Sequence, residues 1–211
     1  MKNVKLLFRL VPCLAAVFFL ASCTKSKGSF WSECKLTGKA RTIDIVVFGD
    51  FPAKRARIWC DSLKRLLPEA NIKQSGVLLP AAAWYEPRKR YLATELLDYM
   101  SSTTEEGHLS LGLTVKDISL PYKGNLNWGV MGLSYMPGNS SVVSTFRLKE
   151  PNIDKQGFKL CLHEMGHAEG LDHCESVGCY MRDAKGKNHL DGLIDFCPEC
   201  KERLKNKGWR L

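Results

Sequence analysis

The feature that most constrains this chain is the run from His163 to His173, with histidines at 163, 167 and 173, a glutamate at 164 and a glycine at 170. Residues four apart on a helix project from one face about one turn apart, so His163 and His167 can bring two imidazole nitrogens to one point, with Glu164 beside them. Gly170 suits the left-handed position that ends a helix and turns the chain, which would return His173 toward that point. Three neutral imidazoles around a metal leave one tetrahedral position for water, the arrangement of a catalytic rather than a structural zinc. In a chain with five histidines, chance agreement at all five positions has odds on the order of one in 10⁵, so a fortuitous match is set aside.

The chemistry expected of such a site is hydrolysis of an amide. Zinc brings the pKa of its water to about 7, Glu164 takes the water's proton and passes it to the leaving amine, and the metal stabilises the developing oxyanion. Two other readings use the same residues. One is a lipid-anchored peptide-binding protein that keeps zinc without turnover. Glu164 is not a ligand and such a protein would be free to lose it, so its presence favours catalysis. The other is a zinc amidase acting on a non-protein amide.

The composition, 45% hydrophobic and 25% charged, is that of an ordinary globular domain with a core. The amino terminus differs. Lys2, Lys5 and Arg9 precede an apolar run from Leu10 to Leu20, followed by small residues, which is the pattern of a secretory signal. At about 1.5 Å rise per helical residue the run falls short of a comfortable span of a roughly 30 Å hydrocarbon core. Leu20-Ala21-Ser22-Cys23 resembles the lipobox of bacterial lipoproteins, in which the cysteine is lipidated and becomes the new N-terminus. The expected organisation is a signal peptide over 1–22, lipidated Cys23 and a Lys/Ser/Gly-rich tether over 23–40, and a catalytic domain over 41–211. The setting would then be the bacterial cell envelope, outside the cytoplasm, with acyl chains on Cys23 at a membrane surface contributing about 0.8 kcal/mol per buried CH₂. Loss of residues 1–22 removes three positive charges and lowers the formal net charge from +9 to +6. The remaining excess, in Lys54/Arg55/Arg57, Arg88/Lys89/Arg90 and the tail from Lys201 to Arg210, could favour anionic lipid or acidic substrates, and a solvated surface is the favoured reading. No basic stripe interleaved with aromatics is present, so nucleic acid is not an expected partner.

Along the chain, the β-branched run Thr42 to Phe48 predicts a strand buried on both faces. Pro52 then opens an amphipathic helix with Trp59, Leu63, Leu66 and Leu67 on one face. Asn71 to Leu79 suits a strand, and Leu92, Leu96 and Met100 place a helix over Arg90 to Met100. Leu109 to Val115, Gly129 to Ser134 and Ser141 to Leu148 suit further strands, the last two joined through Pro137-Gly138-Asn139 as a hairpin-like pair. Pro151-Asn152 supplies a turn and an N-cap for a helix running to about Gly170.

Four cysteines follow the histidines, Cys174, Cys179, Cys197 and Cys200. Cys197-Pro198-Glu199-Cys200 resembles one knuckle of a zinc ribbon, which implies a second, structural zinc over 174–200. An oxidising compartment would instead allow two disulfides, and zinc is the favoured reading. Cys34 and Cys60 suit a disulfide, Cys161 a buried core position, and His108 and His189 a strand end and a loop.

Met181 follows Cys179 by two. The HExxHxxGxxH string followed by this methionine and the four cysteines resembles the archaemetzincins among the metzincins, and a weaker likeness continues upstream through Val130 to Ser134 and Ser141 to Ser144. The resemblance implies an α+β fold: a mixed twisted sheet with two N-terminal helices and an active-site helix, followed by a Cys-rich zinc-bound segment. It also implies a catalytic zinc on His163, His167 and His173, Glu164 as base, Met181 as a hydrophobic floor beneath the metal, and a second zinc on the four cysteines. A peptide substrate would lie extended along the edge strand near Gly129 to Leu133.

Overall fold

A computed structural model describes residues 42–211 of the chain; the expected signal segment, Cys23, the tether over 23–40 and Cys34 lie outside the described residues. In chain order the elements are β1 (Thr42–Phe48), α1 (Ala53–Leu66), β2 (Asn71–Val77), β3 (Trp84–Tyr85), β4 (Arg90–Leu92), α2 (Ala93–Thr103), β5 (His108–Thr114), β6 (Ile118–Tyr122), β7 (Asn125–Val130), β8 (Gly132–Ser134), β9 (Ser140–Ser144), α3 (Ile153–Ala168) and α4 (Pro198–Lys205). Among the described residues no helix is long and apolar enough to cross a membrane.

Strand β1 organises the main sheet because it is apolar on both faces. Ile43, Ile45 and Val47 enter one core, while Val46 and Phe48 enter another. A strand covered on both sides belongs in a sheet interior, and β1 pairs in parallel with β2 on one side and β5 on the other. β9 continues in parallel beyond β5, and β8 pairs antiparallel with β9 to finish the order β2-β1-β5-β9-β8. The first core is shared with α1 and α3, through Trp59, Leu63, Leu160 and Met165; the second is shared with α2, through Leu96, Leu97 and Met100. Helices therefore cover both faces of the sheet. In α1, Ala56, Trp59 and Leu63 recur at helical spacing, and Lys64 and Arg65 in its last turn complement the negative end of the helix dipole.

A second sheet, ordered β3-β4-β6-β7, was not expected from the sequence. It corrects two boundaries. Arg90 to Leu92 form strand β4 beside β6 instead of opening the helix, so α2 starts at Ala93. The expected strand Gly129 to Ser134 is divided at Met131, where the chain leaves the small sheet and enters the large one. The expected strand over Ser141 to Leu148 stops at Ser144, whose hydroxyl oxygen accepts from the Phe146 N–H at 3.1 Å as the chain turns. The strand after α1 likewise ends at Val77.

Helix α3 carries the histidines and lies across the sheet beside Trp59 of α1, which packs so close to Gly157 that a methyl group there would overlap the indole. Asn152 stands at its N-cap, but the side chain does not cap it. The Asn152 amide instead donates to Asp191 Oδ1 at 3.2 Å, and Gln156 Nε2 donates to Asp191 Oδ2 at 3.0 Å, tying the start of the helix to the segment that precedes the last cysteines.

Candidate metal centre and active site

The helix ends where the sequence places its end. Gly170 has φ +88°, a left-handed conformation open to glycine, and the chain closes a Schellman turn in which Leu171 N–H donates to Gly166 O at 2.9 Å and Gly170 N–H to His167 O at 2.8 Å. The turn buries Leu171 and brings His173 back toward α3. Ring centroids of His163, His167 and His173 stand 4.6, 4.7 and 5.5 Å apart, and one nitrogen from each lies within 4.8 Å of the others.

Two of these rings are oriented from behind. His163 Nδ1 lies 2.6 Å from Tyr180 O and His167 Nδ1 lies 2.7 Å from Leu171 O. A carbonyl accepts only, so both Nδ1 atoms carry the proton and both Nε2 lone pairs face inward. The Nε2 atoms are 3.1 Å apart, close to the roughly 3.3 Å that two ligands about 2.0–2.1 Å from a tetrahedral zinc would show. Burial lowers the pKa of His163 to about 3 and also lowers that of His167, with the neighbouring imidazoles adding to the effect at His163. Both are therefore neutral, as a ligand must be.

Glu164 sits between the helix and the sheet edge. It is buried, and β8 passes so close that any side chain on Gly132 would overlap its carboxylate. Ser134 Oγ lies 3.0 Å from Glu164 Oε2 and 2.7 Å from Glu164 O; Ser141 Oγ lies 3.2 Å from the same carbonyl and 2.9 Å from Ser134 Oγ. Burial raises the Glu164 pKa from 4.5 to about 8, while the Ser134 hydroxyl pulls the other way. A cation held by the histidines would pull it further down. Ser134 and Ser141 were not singled out as site residues by sequence, although both fall in the stretches that carry the weaker upstream likeness.

Met181 is fully buried behind the histidine helix, and a side chain on Gly166 would overlap its sulfur, so Gly166 inside the histidine motif is what admits the methionine. The same loop leads into the cysteines. Cys174 and Cys197 sulfurs lie 3.7 Å apart and those of Cys179 and Cys200 3.9 Å apart, all four within 4.8 Å of one another. A disulfide would need about 2.05 Å; four thiolates about 2.3 Å from a tetrahedral zinc stand about 3.75 Å apart. Backbone N–H groups of Ser176, Met181 and Cys197 point at the sulfurs of Cys174 and Cys179 at 3.3–3.4 Å; at Cys179 burial raises the thiol pKa and the two N–H groups oppose it. Burial opposes ionisation of Cys197, but the Cys200 N–H and the neighbouring thiols bring it down to about 7. Cys60 is a free thiol 3.8 Å from Gln74 Oε1, and its expected partner Cys34 lies outside the described residues. Cys161 is buried, His108 stands at the start of β5 with Nδ1 2.8 Å from Asp44 Oδ2, and His189 lies in a loop.

A helix bearing two inward-facing imidazoles, a third returned by a turn, and a buried carboxylate against a sheet edge define the zinc metallopeptidase class. Comparison with known proteins narrows it. The profile of Peptidase family M54 matches residues 85–206. An archaemetzincin of Nanoarchaeum equitans is 35% identical over 156 residues, covering 72% of this chain and 86% of its own length. The crystal structure of the archaemetzincin of Methanopyrus kandleri aligns with TM-score 0.70 at 29% identity, covering 81% of this chain and 96% of that one. That of Archaeoglobus fulgidus, complexed with malonate, aligns with TM-score 0.63 at 25% identity, covering 77% and 99%. The chain belongs to the archaemetzincins, Peptidase family M54, and is a zinc-dependent peptide hydrolase.

The buried groups make the stability of the metal-stripped protein depend on pH with a calculable sign. Glu164, raised to about 8, binds its proton more tightly folded than unfolded, so its contribution is complete below 4.5 and lost as pH rises through 8. His163, lowered to about 3 from 6.5, contributes above 6.5 and loses that contribution as pH falls toward 3. Between about pH 6.5 and pH 8, where the His163 contribution is already complete and the Glu164 contribution is still being lost, chelator-treated protein should lose on the order of 1–2 kcal/mol on denaturant titration, and Glu164→Gln should flatten that slope. Equal slopes in the two proteins would place its origin elsewhere.

Proposed function

We propose that His163, His167 and His173 hold the catalytic zinc and that Glu164 is the general base and acid of peptide hydrolysis. The observation that carries this reading is the position of Glu164: its carboxylate is wedged between the helix that presents two ligand nitrogens and the open strand β8. When bound, zinc supplies a water of pKa about 7 and a Lewis acid for the scissile carbonyl. Glu164 takes the proton from the attacking water and delivers it to the departing amine nitrogen. Ser134 holds the carboxylate in place from β8. Tyr180 and Leu171 carbonyls keep the Nε2 lone pairs of His163 and His167 directed inward through both steps. Met181 supplies an apolar floor.

The substrate is an extended peptide that adds to β8. Among the described residues β8 pairs with β9 alone, which leaves its outer side free to pair with a substrate backbone. Binding there sets the scissile carbonyl beside Glu164, since the strand passes over that side chain. Cys174, Cys179, Cys197 and Cys200 hold a second, structural zinc. Replacing Glu164 by Gln should leave metal content unchanged and lower peptide cleavage by about 10²-fold or more, measured on a mixed peptide pool. Cleavage retained at the parent rate would remove Glu164 from the mechanism.

The enzyme is tethered outside the cytoplasm through lipidated Cys23, a reading supported by Leu20-Ala21-Ser22-Cys23 after a basic and apolar leader. In bacterial cells expressing the full chain, Cys23→Ser should move the protein from the membrane fraction to the soluble extracytoplasmic fraction. An unchanged distribution would refute the anchor.

A further inference from the structure

The three histidines are not held alike. His163 and His167 stand on a helix and each is fixed by a backbone carbonyl behind its ring, whereas among the described residues the His173 ring makes ring contacts with the other two and no hydrogen bond. Its side chain is also the exposed one of the three. Where His173 points therefore depends on its backbone, and its backbone depends on the turn at Glu169 and Gly170. Two groups from the far end of the chain reach that turn. Arg203, on α4 three residues past Cys200, donates through Nη2 to Gly170 O at 2.7 Å; Trp209, buried, donates through Nε1 to Glu169 Oε1 at 3.0 Å.

The strap that carries these donors is itself anchored. Trp209 packs edge-on to Phe196, which packs edge-on to Tyr180, the residue whose carbonyl orients His163. Arg210 N–H donates to Leu66 O at the end of α1 at 2.7 Å, fixing the tail to the body of the domain. Downstream of His173, Cys174 N–H donates to Met181 O at 2.8 Å. The third histidine is thus clamped between the cysteine segment on one side and the C-terminal strap on the other. Trp209 and Arg210 lie past residue 206, beyond the span matched by the family profile.

We propose that Arg203 and Trp209 are positioning residues for the third metal ligand, holding the Glu169–Gly170 turn so that His173 stays in reach of the metal. The inference rests on the assignment of His163, His167 and His173 as one metal site. A ligand restrained in place loses less freedom when it binds, so removing the restraint weakens metal binding without touching a donor atom. Only the histidine set should be affected, because neither side chain touches a cysteine sulfur.

Cobalt(II) reports the two donor sets separately in the full chain: thiolate-to-cobalt charge transfer marks the cysteines, and weaker d–d absorption marks the imidazoles. In chelator competition, Arg203→Ala should weaken cobalt and zinc binding at the histidines by about tenfold, and the Arg203→Ala/Trp209→Phe pair by up to about 100-fold. The charge-transfer band should be unchanged, and Arg203→Lys, which keeps a cationic donor, should recover much of the loss. Equal histidine-site affinity in the parent and the double variant would overturn the proposal and leave the metal-site assignment standing. Parallel loss of the charge-transfer band would also overturn it, by showing that the two residues serve the folding of the cysteine segment. A parent protein that takes no cobalt at the histidines would overturn the metal-site assignment, and the proposal with it.

Discussion

The reversal of the chain at Gly170 is the constraint on which the site depends. A helix can bring two histidines to one point but not a third six residues further on, so the chain has to stop, turn through a left-handed residue and come back. The Schellman turn does this with backbone hydrogen bonds and a buried Leu171, and the Leu171 carbonyl then orients His167. One local event therefore ends the helix, delivers His173 and sets the tautomer of a second histidine.

The packing around that turn explains residues whose chemistry is otherwise unremarked. Gly166 is small because Met181 lies against it, and Gly132 is small because Glu164 lies against it. The loop holding Met181 also provides the Tyr180 carbonyl behind His163 and contains Cys179, so the buried methionine, one orienting group and one cysteine fall within three residues. His173 and Cys174 are adjacent but belong to different donor sets. The proximity of the two sets is a consequence of chain geometry, and it ties the order of the C-terminal segment to the geometry of the histidines.

Much of this was legible in the sequence because the signals were strong and local. The β-branched run of β1 and the apolar spacing of α1 each had one physical solution, and the spacing from His163 to His173 demanded a helix followed by a glycine turn. The small sheet was not legible. β3 and β4 are two and three residues long, too short for alternation to register, and pairing with β6 overrides the helical tendency of Arg90 to Leu92. Met131 hid the change of sheet between β7 and β8 for a related reason: strands that meet in sequence with one residue between them read as one. Ser134 and Ser141 look like ordinary strand serines until the fold places them on the Glu164 carbonyl, a contact between residues far apart in sequence.

The chain brings together two separate candidate donor sets, one of three imidazoles and one of four thiols. Metal analysis of the purified protein, with thiol counting after denaturation, shows whether each set holds its own zinc. Two zinc ions per chain are expected, falling to one when His163 and His167 are replaced by alanine, with all four C-terminal cysteines recovered as free thiols after chelation. A single zinc that is lost with the histidines, accompanied by four cysteines recovered as disulfides, would contradict that expectation.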